Sequence, residues 1–143
     1  MTRTRYLTGA AALAAALAVG IQFVPVDRTN PEPVSPVVAA PEVLEILDRA
    51  CFDCHSHRTR WPWYSRVAPV SWWLAHHVDE GRGDLNFDVW PVFDPGEREL
   101  YLRDIEQQLI KGEMPPGYYK IAHPGARLTA AEVDVVLAWS RER

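Results

Sequence analysis

The sequence predicts an all-α fold, and three observations lead to that prediction. In several segments the apolar residues recur at the spacing of one helix face. Residues that favour helix ends stand beside these segments, and no segment shows the alternation typical of strands. The chain has 143 residues, of which 48% are hydrophobic and 24% are charged, and this suits one globular domain with its own core.

The N-terminus is predicted to be a transmembrane helix. Arg3 and Arg5 precede an uncharged run, Leu7–Val24, which at about 1.5 Å per residue just spans a hydrocarbon core of roughly 30 Å. Arginines before such a run stay on the cytoplasmic side, so we expect residues 1–24 to anchor the chain and the rest to be exported. A cleaved signal peptide is the alternative. However, the run is longer than an ordinary signal core, and the one candidate cleavage site, residues 38–40, is followed by proline.

A proline-rich linker is predicted to follow the anchor. Residues 25–41 contain five prolines, namely Pro25, Pro31, Pro33, Pro36 and Pro41. Proline fixes φ and removes a backbone donor, so this stretch should be extended. We expect it to hold the folded domain, residues 42–143, a short distance from the membrane.

Two helices are predicted in the first half of the domain. Pro41 and Glu42 suit a first helical turn, and an apolar stripe follows them, made of Val43, Leu44, Ile46, Leu47 and Ala50. A second helix is predicted from Trp72 to Glu80, capped by Ser71 and ended by Gly81. Residues 81–96 are rich in glycine and proline and are predicted to form a loop.

Two further helices are predicted in the second half. One runs over Glu97–Lys111 and ends at Gly112, with four residues expected to face inward, namely Leu100, Tyr101, Ile105 and Leu109. The other begins at a capping box formed by Thr129 and Glu132. Its residues expected to face inward are Val133, Val136, Leu137 and Trp139. The domain should therefore contain about four helices with long loops.

The two cysteines of the chain stand in one motif, Cys51-Phe52-Asp53-Cys54-His55. A Cys-x-x-Cys-His sequence is a signature of covalent c-type haem attachment. Each thiol adds to one of two vinyl groups on the same edge of the haem, a span that one tight turn can bridge, and the next histidine is carried beneath the iron. We therefore predict one haem c, attached through Cys51 and Cys54, with His55 as the proximal iron ligand.

Three other interpretations of the motif are open. A thioredoxin-like redox pair needs a strand–helix setting, whereas here a helix precedes the motif. A structural disulfide is possible in an oxidising compartment, but so short a loop stabilises little. A zinc site would have to crowd Cys51, Cys54, His55 and His57 into seven residues.

Met114 is the predicted distal ligand of the iron. It is the one methionine in the domain, and Pro115 and Pro116 stiffen the backbone after it. A soft thioether favours Fe(II) and raises the reduction potential. The alternatives are a methionine that only fills the core, a vacant position, or one of the histidines, His57, His76, His77 and His123, for each of which solvation or an ordinary hydrogen bond is the favoured interpretation.

An aromatic cluster follows the motif and includes Trp61, Trp63 and Trp72, which are predicted to pack on the haem. An ordinary hydrophobic core explains these side chains equally well. The arginines Arg58, Arg60 and Arg66 are candidates for the haem propionates. We also expect the second ring nitrogen of His55 to donate to a backbone carbonyl, with Pro62 and Pro69 as candidates.

Several strings together resemble the small bacterial haem-binding domain proteins, which are membrane-anchored and carry one Cys-x-x-Cys-His motif. The resemblance covers about residues 21–143. It rests on these stretches: 21–25, 51–60, 61–65, 68–73, 80–82 with 85–87, 113–116 and 128–129. The resemblance implies a monohaem, cytochrome c-like domain, and it implies little about physiological role.

Charge and ligand set together favour an electron carrier, not an enzyme. The formal net charge of the chain is −4. Residues 25–143, which exclude Arg3 and Arg5, have a formal net charge of −6. Such a surface disfavours nucleic acid and favours a redox protein with a basic docking patch. We expect one-electron transfer on the periplasmic side of the bacterial inner membrane. A haem-based sensor is the main alternative, and a peroxidase, which would need a distal acid–base group such as His76 or His77, is a third.

Overall fold

The computed structural model describes residues 2–90 and 95–142, and the predicted all-α fold is confirmed. The α-helices are α1 (Thr2–Gly20), α2 (Pro41–Ala50), α3 (Phe52–His55), α4 (Val70–Asp84), α5 (Pro95–Lys111), α6 (Gly117–Ala122) and α7 (Ala130–Arg141). Short 3₁₀ turns lie at Ile21–Phe23, Trp63–Arg66 and Pro124–Ala126. Across the described ranges, strand-like pairing is limited to one isolated bridge between Ser35 and Val89.

The chain forms two compact units. The first consists of the residues up to Thr29 together with Trp61–His77, and the second of Asn30–Arg60 and Val78–Arg143. Helix α4 contributes its first half to one unit and its second half to the other. The first unit contains a segment, Arg3–Phe23, that is long and apolar enough to cross a membrane.

An aromatic and aliphatic core organises the second unit. Phe52, from the cysteine motif, lies 5.4 Å from the ring centroid of Phe87, which in turn stacks on Trp90 at 5.7 Å. Leu102 of α5 and Val136 of α7 complete this cluster. Burying a side chain of this size contributes about 1.5–3 kcal/mol, so the cysteine motif is fixed to the core through Phe52.

Helices α2 and α7 begin as the sequence predicts. The stripe of α2 buries Val43, Ile46, Leu47 and Ala50. At the start of α7, the N–H of Thr129 donates to Glu132 Oε2 at 2.7 Å, and the N–H of Glu132 donates to Thr129 Oγ1 at 3.3 Å. The capping box is therefore confirmed, and it satisfies two donors that a helix start leaves open.

The predicted inward face of α5 is wrong at one position. Leu100 is 65% exposed, whereas Leu102 is buried in the core. Two residues correspond to about 200° around a helix, so these leucines lie on opposite faces. Tyr101, Ile105 and Leu109 pack against the core as expected.

The predicted bounds of α4 are wrong at both ends. The helix begins at Val70, so Ser71 is a buried residue inside its first turn rather than the cap. It runs through Gly81 as far as Asp84, so the expected loop over 81–96 is shorter. Residues 91–94 of that loop lie outside the described residues, and α5 already begins at Pro95.

Part of the proline-rich segment belongs to the second unit and does not act only as a spacer. The N–H groups of Val34 and Ser35 donate to the carbonyl of Asp88, and that of Val37 donates to Phe87 at 2.7 Å. Val37 is itself buried in the core. The segment is extended, as proline predicts, but the compact unit already begins at Asn30 rather than near Pro41.

Candidate functional site

The cysteine motif forms one tight turn between α2 and α3. The N–H of Cys51 donates to Leu47 at the end of α2, and the carbonyl of Cys51 accepts from the N–H groups of Cys54, at 3.1 Å, and His55, at 2.9 Å. Hydrogen bonds to one carbonyl thus hold Cys54 and His55 on a single turn. This is the local geometry that the two-residue spacing of the motif predicts.

Both cysteines are half-buried thiols and are not joined in a disulfide. Burial raises the pKa of Cys51 to about 12, with a further contribution from Cys54. Burial also raises the pKa of Cys54 to about 11, and the neighbouring charge of Asp53 adds to the rise. Both side chains are therefore neutral S–H groups at neutral pH.

His55 presents one ring nitrogen for a metal. Its Nδ1 lies 2.8 Å from the carbonyl oxygen of Gly81 and 3.1 Å from that of Leu85. Both neighbours can only accept, so Nδ1 carries the proton and Nε2 keeps the lone pair that an iron ligand needs. The expected backbone acceptor is present, but it is not Pro62 or Pro69, because the final turn of α4 reaches the imidazole first.

One cavity joins the motif to Met114. It has a volume of about 110 Å³ and is lined by Cys51, His55 and Met114 together with Leu47, Leu85, Phe87, Ile105 and Leu109 and the polar residues Asp84, Asp104 and Gln108. An imidazole nitrogen and a thioether are iron donors that suit a haem. The thiol of Cys51 lines the same space, and Cys54, which is not among the lining residues, lies on the same turn as Cys51. The cavity is smaller than a porphyrin, so a bound ring would part the walls or extend beyond them.

The apolar walls of this cavity were not predicted as site residues. Leu47 lies one helical turn before Cys51, and its place on the apolar stripe of α2 was the available signal. Ile105 and Leu109 are one turn apart on α5 and face the same way. Phe87 comes from the loop after α4, where no periodic pattern could indicate its direction.

The tryptophans predicted to pack on the haem, Trp61, Trp63 and Trp72, belong to the first unit, whereas the cysteine motif and Met114 belong to the second. Trp63 is 78% exposed. Packing of these three side chains on a haem stays a prediction.

The other histidines of the second unit are engaged within the protein. His57 has Nδ1 3.2 Å from the carbonyl of Glu32 and Nε2 2.8 Å from the amide nitrogen of Asn86. The ring of His123 stacks on Tyr119 with centroids 4.2 Å apart. None of the described residues forms a group of three or more His, Cys, Asp and Glu side chains that could hold a metal ion, so the zinc alternative gains no support.

Two arginines suggested for the propionates bind carboxylates of the protein instead. Arg58 Nη2 lies 2.6 Å from Asp88, whose side chain is fully buried, and the guanidinium covers the ring of Phe52 at 4.3 Å. Arg60 pairs with Asp53 and Asp48 at 3.0 Å each. Contacts of Arg58 and Arg60 with haem propionates stay a prediction, and in this structure both arginines are paired with carboxylates of the protein.

Sequence reasoning missed a contact between the motif and the segment after Met114. The hydroxyl of Tyr119 on α6 donates to Asp53 Oδ2 at 2.7 Å, while Asp53 Oδ1 accepts from the backbone and side chain of Arg60. Burial and this hydrogen bond to Asp53 raise the pKa of Tyr119 far above its ordinary value, so the phenol stays protonated as a donor. No local signal in the sequence indicates that Asp53, the second intervening residue of the motif, makes this contact.

The comparisons with known proteins give one result. The model of a family described as haem-binding domain matches residues 16–142, nearly the whole chain. This agrees with the resemblance over about residues 21–143. No curated protein and no solved structure gives a significant match.

Proposed function

The chain belongs to the haem-binding domain family, and from that premise we propose that it is a covalent monohaem c-type cytochrome domain that carries single electrons at the periplasmic face of the membrane. The observation that carries this proposal is the shared cavity of Cys51, His55 and Met114. Cys51 and Met114 are 63 positions apart in the sequence, yet in the fold both line the same cavity.

Attachment would use the two thiols of the motif. The S–H bond of each cysteine adds across one vinyl group, so that a C–S bond forms and the proton ends on the other vinyl carbon. This addition balances without an oxidant or reductant. The placement of Cys51 and Cys54 on one turn supports it.

The iron would be held by His55 Nε2 and the thioether of Met114. When bound, the haem supplies a one-electron Fe(III)/Fe(II) couple. The hydrogen bonds that Nδ1 of His55 makes to the carbonyls of Gly81 in α4 and of Leu85 just after it fix the ring and its tautomer. Two fixed ligands suit electron transfer, because the coordination of the iron would change little between its two oxidation states.

Membrane attachment and partner choice follow from charge. The helix Arg3–Phe23 would anchor the chain, with Arg3 and Arg5 on the cytoplasmic side and the domain in the periplasm. The acidic balance of the exported part favours a redox partner with a basic docking patch.

Visible spectra of oxidised and reduced protein, produced with cytochrome c maturation machinery, test the proposal. We expect c-type bands and a weak long-wavelength thioether–Fe(III) band that Met114→Ala removes and the neighbouring exposed Glu113→Ala retains. Cys51→Ser with Cys54→Ser should abolish covalent haem. A c-type spectrum that is indifferent to Met114→Ala would overturn the Met114 ligand, and no covalent haem in the wild type would return the cysteines to thiol chemistry.

Gas sensing is a second candidate, favoured by one observation. Met114 is 38% exposed, so an external ligand could reach and displace its thioether. Tight binding of carbon monoxide by the reduced wild-type protein would favour this function, and weak binding that becomes tight only in Met114→Ala would favour the electron carrier.

A further inference from the structure

An exposed apolar surface lies in the first unit. We call it the aromatic segment, residues 61–73. Its exposed large side chains are Trp63, Val67, Val70, Trp72 and Trp73. Soluble surfaces rarely collect so many apolar side chains in so short a stretch, so this surface calls for a partner.

The aromatic segment is bound to the end of the candidate membrane helix. The side chain of Gln22 clamps one residue of it, because Nε2 donates to the carbonyl of Ala68 at 3.2 Å and Oε1 accepts from the N–H of Ala68 at 2.9 Å. Arg28 adds a hydrogen bond to the carbonyl of Ser65 at 3.2 Å. Gln22 lies in the last turn of the segment Arg3–Phe23, so the clamp sets the aromatic segment at the level where that helix would leave the membrane.

The chemistry of the segment suits that level. Tryptophan carries a large apolar ring with one N–H donor and is enriched at the boundary between acyl chains and headgroups. The exposed valines Val67 and Val70 can enter the acyl boundary, while the exposed Arg66 can face lipid phosphates. A protein surface or a second copy of the chain would account for the apolar side chains but not for the clamp to the end of an apolar helix.

We propose that the aromatic segment lies in the lipid headgroup region of the membrane that α1 spans, as a second membrane contact of this chain. The proposal rests on the anchor of the proposed function, because α1 must be inserted for the clamp to set this depth. It assigns Trp63, Trp72 and Trp73 to a lipid surface.

Photo-crosslinking of the full chain tests it in vesicles of phosphatidylethanolamine and phosphatidylglycerol. The photoreactive residue p-benzoyl-phenylalanine replaces Trp63, or Leu13 inside α1 as the positive control, or Ile121 of α6, an exposed apolar side chain of the second unit, as the matched negative control. We expect lipid adducts at 13 and 63 and several-fold fewer at 121. Gln22→Ala should lower the yield at 63 several-fold and leave the yield at 13 unchanged.

The outcomes separate this inference from the anchor itself. Lipid adducts at 13 with none at 63 would overturn the inference and leave the anchor standing. Cross-linked dimers at 63 in place of lipid adducts would assign the surface to a second copy of the chain. No lipid adduct at 13 would overturn the anchor and the inference with it.

Discussion

The backbones of Gly81 in α4 and Cys54 in the cysteine motif are in close contact. A β-carbon on Gly81 would lie 2.8 Å from the carbonyl oxygen of Cys54 and 3.2 Å from its β-carbon. This close approach allows the carbonyl of Gly81 to reach Nδ1 of His55. The glycine is therefore a contact point between α4 and the haem motif, which explains why it stands inside the helix although glycine weakens helices.

Gly81→Ala should destabilise the second unit and disturb haem attachment. The added methyl group meets backbone atoms, which cannot swing aside as a flexible side chain could, so we expect a loss of about 2 kcal/mol in the free energy of unfolding. The yield of covalent haem should fall with it. Denaturant unfolding and haem-stained gels of the full chain measure both.

Gly83→Ala is the matched control for that substitution. It lies on the same helix, and a β-carbon there would meet nothing within 4 Å. Replacing an exposed helical glycine by alanine should stabilise the protein by up to about 1 kcal/mol. Equal behaviour of the two variants would show that Gly81 has no special contact.

Tyr119→Phe should loosen the link between the motif and the segment that follows Met114. It removes the hydroxyl that donates to Asp53, a nearly buried carboxylate. A hydrogen bond to a charged group contributes about 1.5–3 kcal/mol, so we expect a loss of about 2 kcal/mol in unfolding free energy.

The thioether–Fe(III) band of the same variant reports on Met114. We expect it to weaken, because Tyr119 anchors α6 only five residues beyond that methionine. Tyr118→Phe, on the more exposed neighbouring ring, is the comparison variant and should weaken the band less than Tyr119→Phe does. A band that keeps its full strength in Tyr119→Phe would remove the positioning role and leave a stability role only.

Asp88→Asn should be the most destabilising of these changes. The carboxylate of Asp88 is fully buried and accepts from the N–H of His57 at 2.9 Å and from two nitrogens of Arg58. The substitution places an amide NH₂ group against the donors of His57 and Arg58 at a fully buried position, and lost hydrogen bonds to a buried charged group cost about 3 kcal/mol. Thermal unfolding should show a lower midpoint for Asp88→Asn than for Asp79→Asn, an exposed position on α4. Similar midpoints for the two variants would contradict this role.

Features whose residues all lie within one short stretch could be predicted from the sequence. The capping box of Thr129 and Glu132 lies within four residues, and the stripe of α2 lies within ten, so both could be found without tertiary information. The spacing of the motif likewise predicted the single tight turn that holds Cys51, Cys54 and His55.

Features that depend on distant partners could not be found from local signals. The sequence alone favours a helix end at Gly81. The contact that requires glycine there is with the carbonyl of Cys54, which lies 27 residues earlier in the chain. Tyr119 and Asp53 are 66 residues apart. The pairing of Arg58 with Asp88 depends on the burial of Asp88, which cannot be read from the sequence.

The pH dependence of stability should reveal the capping box. The N–H and hydroxyl of Thr129 donate to the carboxylate of Glu132, and Arg49 of α2 pairs with it, so the pKa of Glu132 lies below its ordinary value. A depressed pKa means that the carboxylate stabilises the fold above the unfolded pKa of about 4.3, and that this stabilisation is lost as the pH falls through the folded value. The difference in unfolding free energy between the wild type and Glu132→Gln should be largest at neutral pH and shrink as the pH falls below about 4.

Urea unfolding at a series of pH values measures this difference. Glu113→Gln, at an exposed position outside the helices, is the control for the general effect of removing one carboxylate. Its difference from the wild type should change little over the same range. A difference for Glu132→Gln that is constant with pH would show that the ionised carboxylate is not what Thr129 and Arg49 stabilise. The glutamate would then act at the start of α7 only as a neutral hydrogen-bond acceptor.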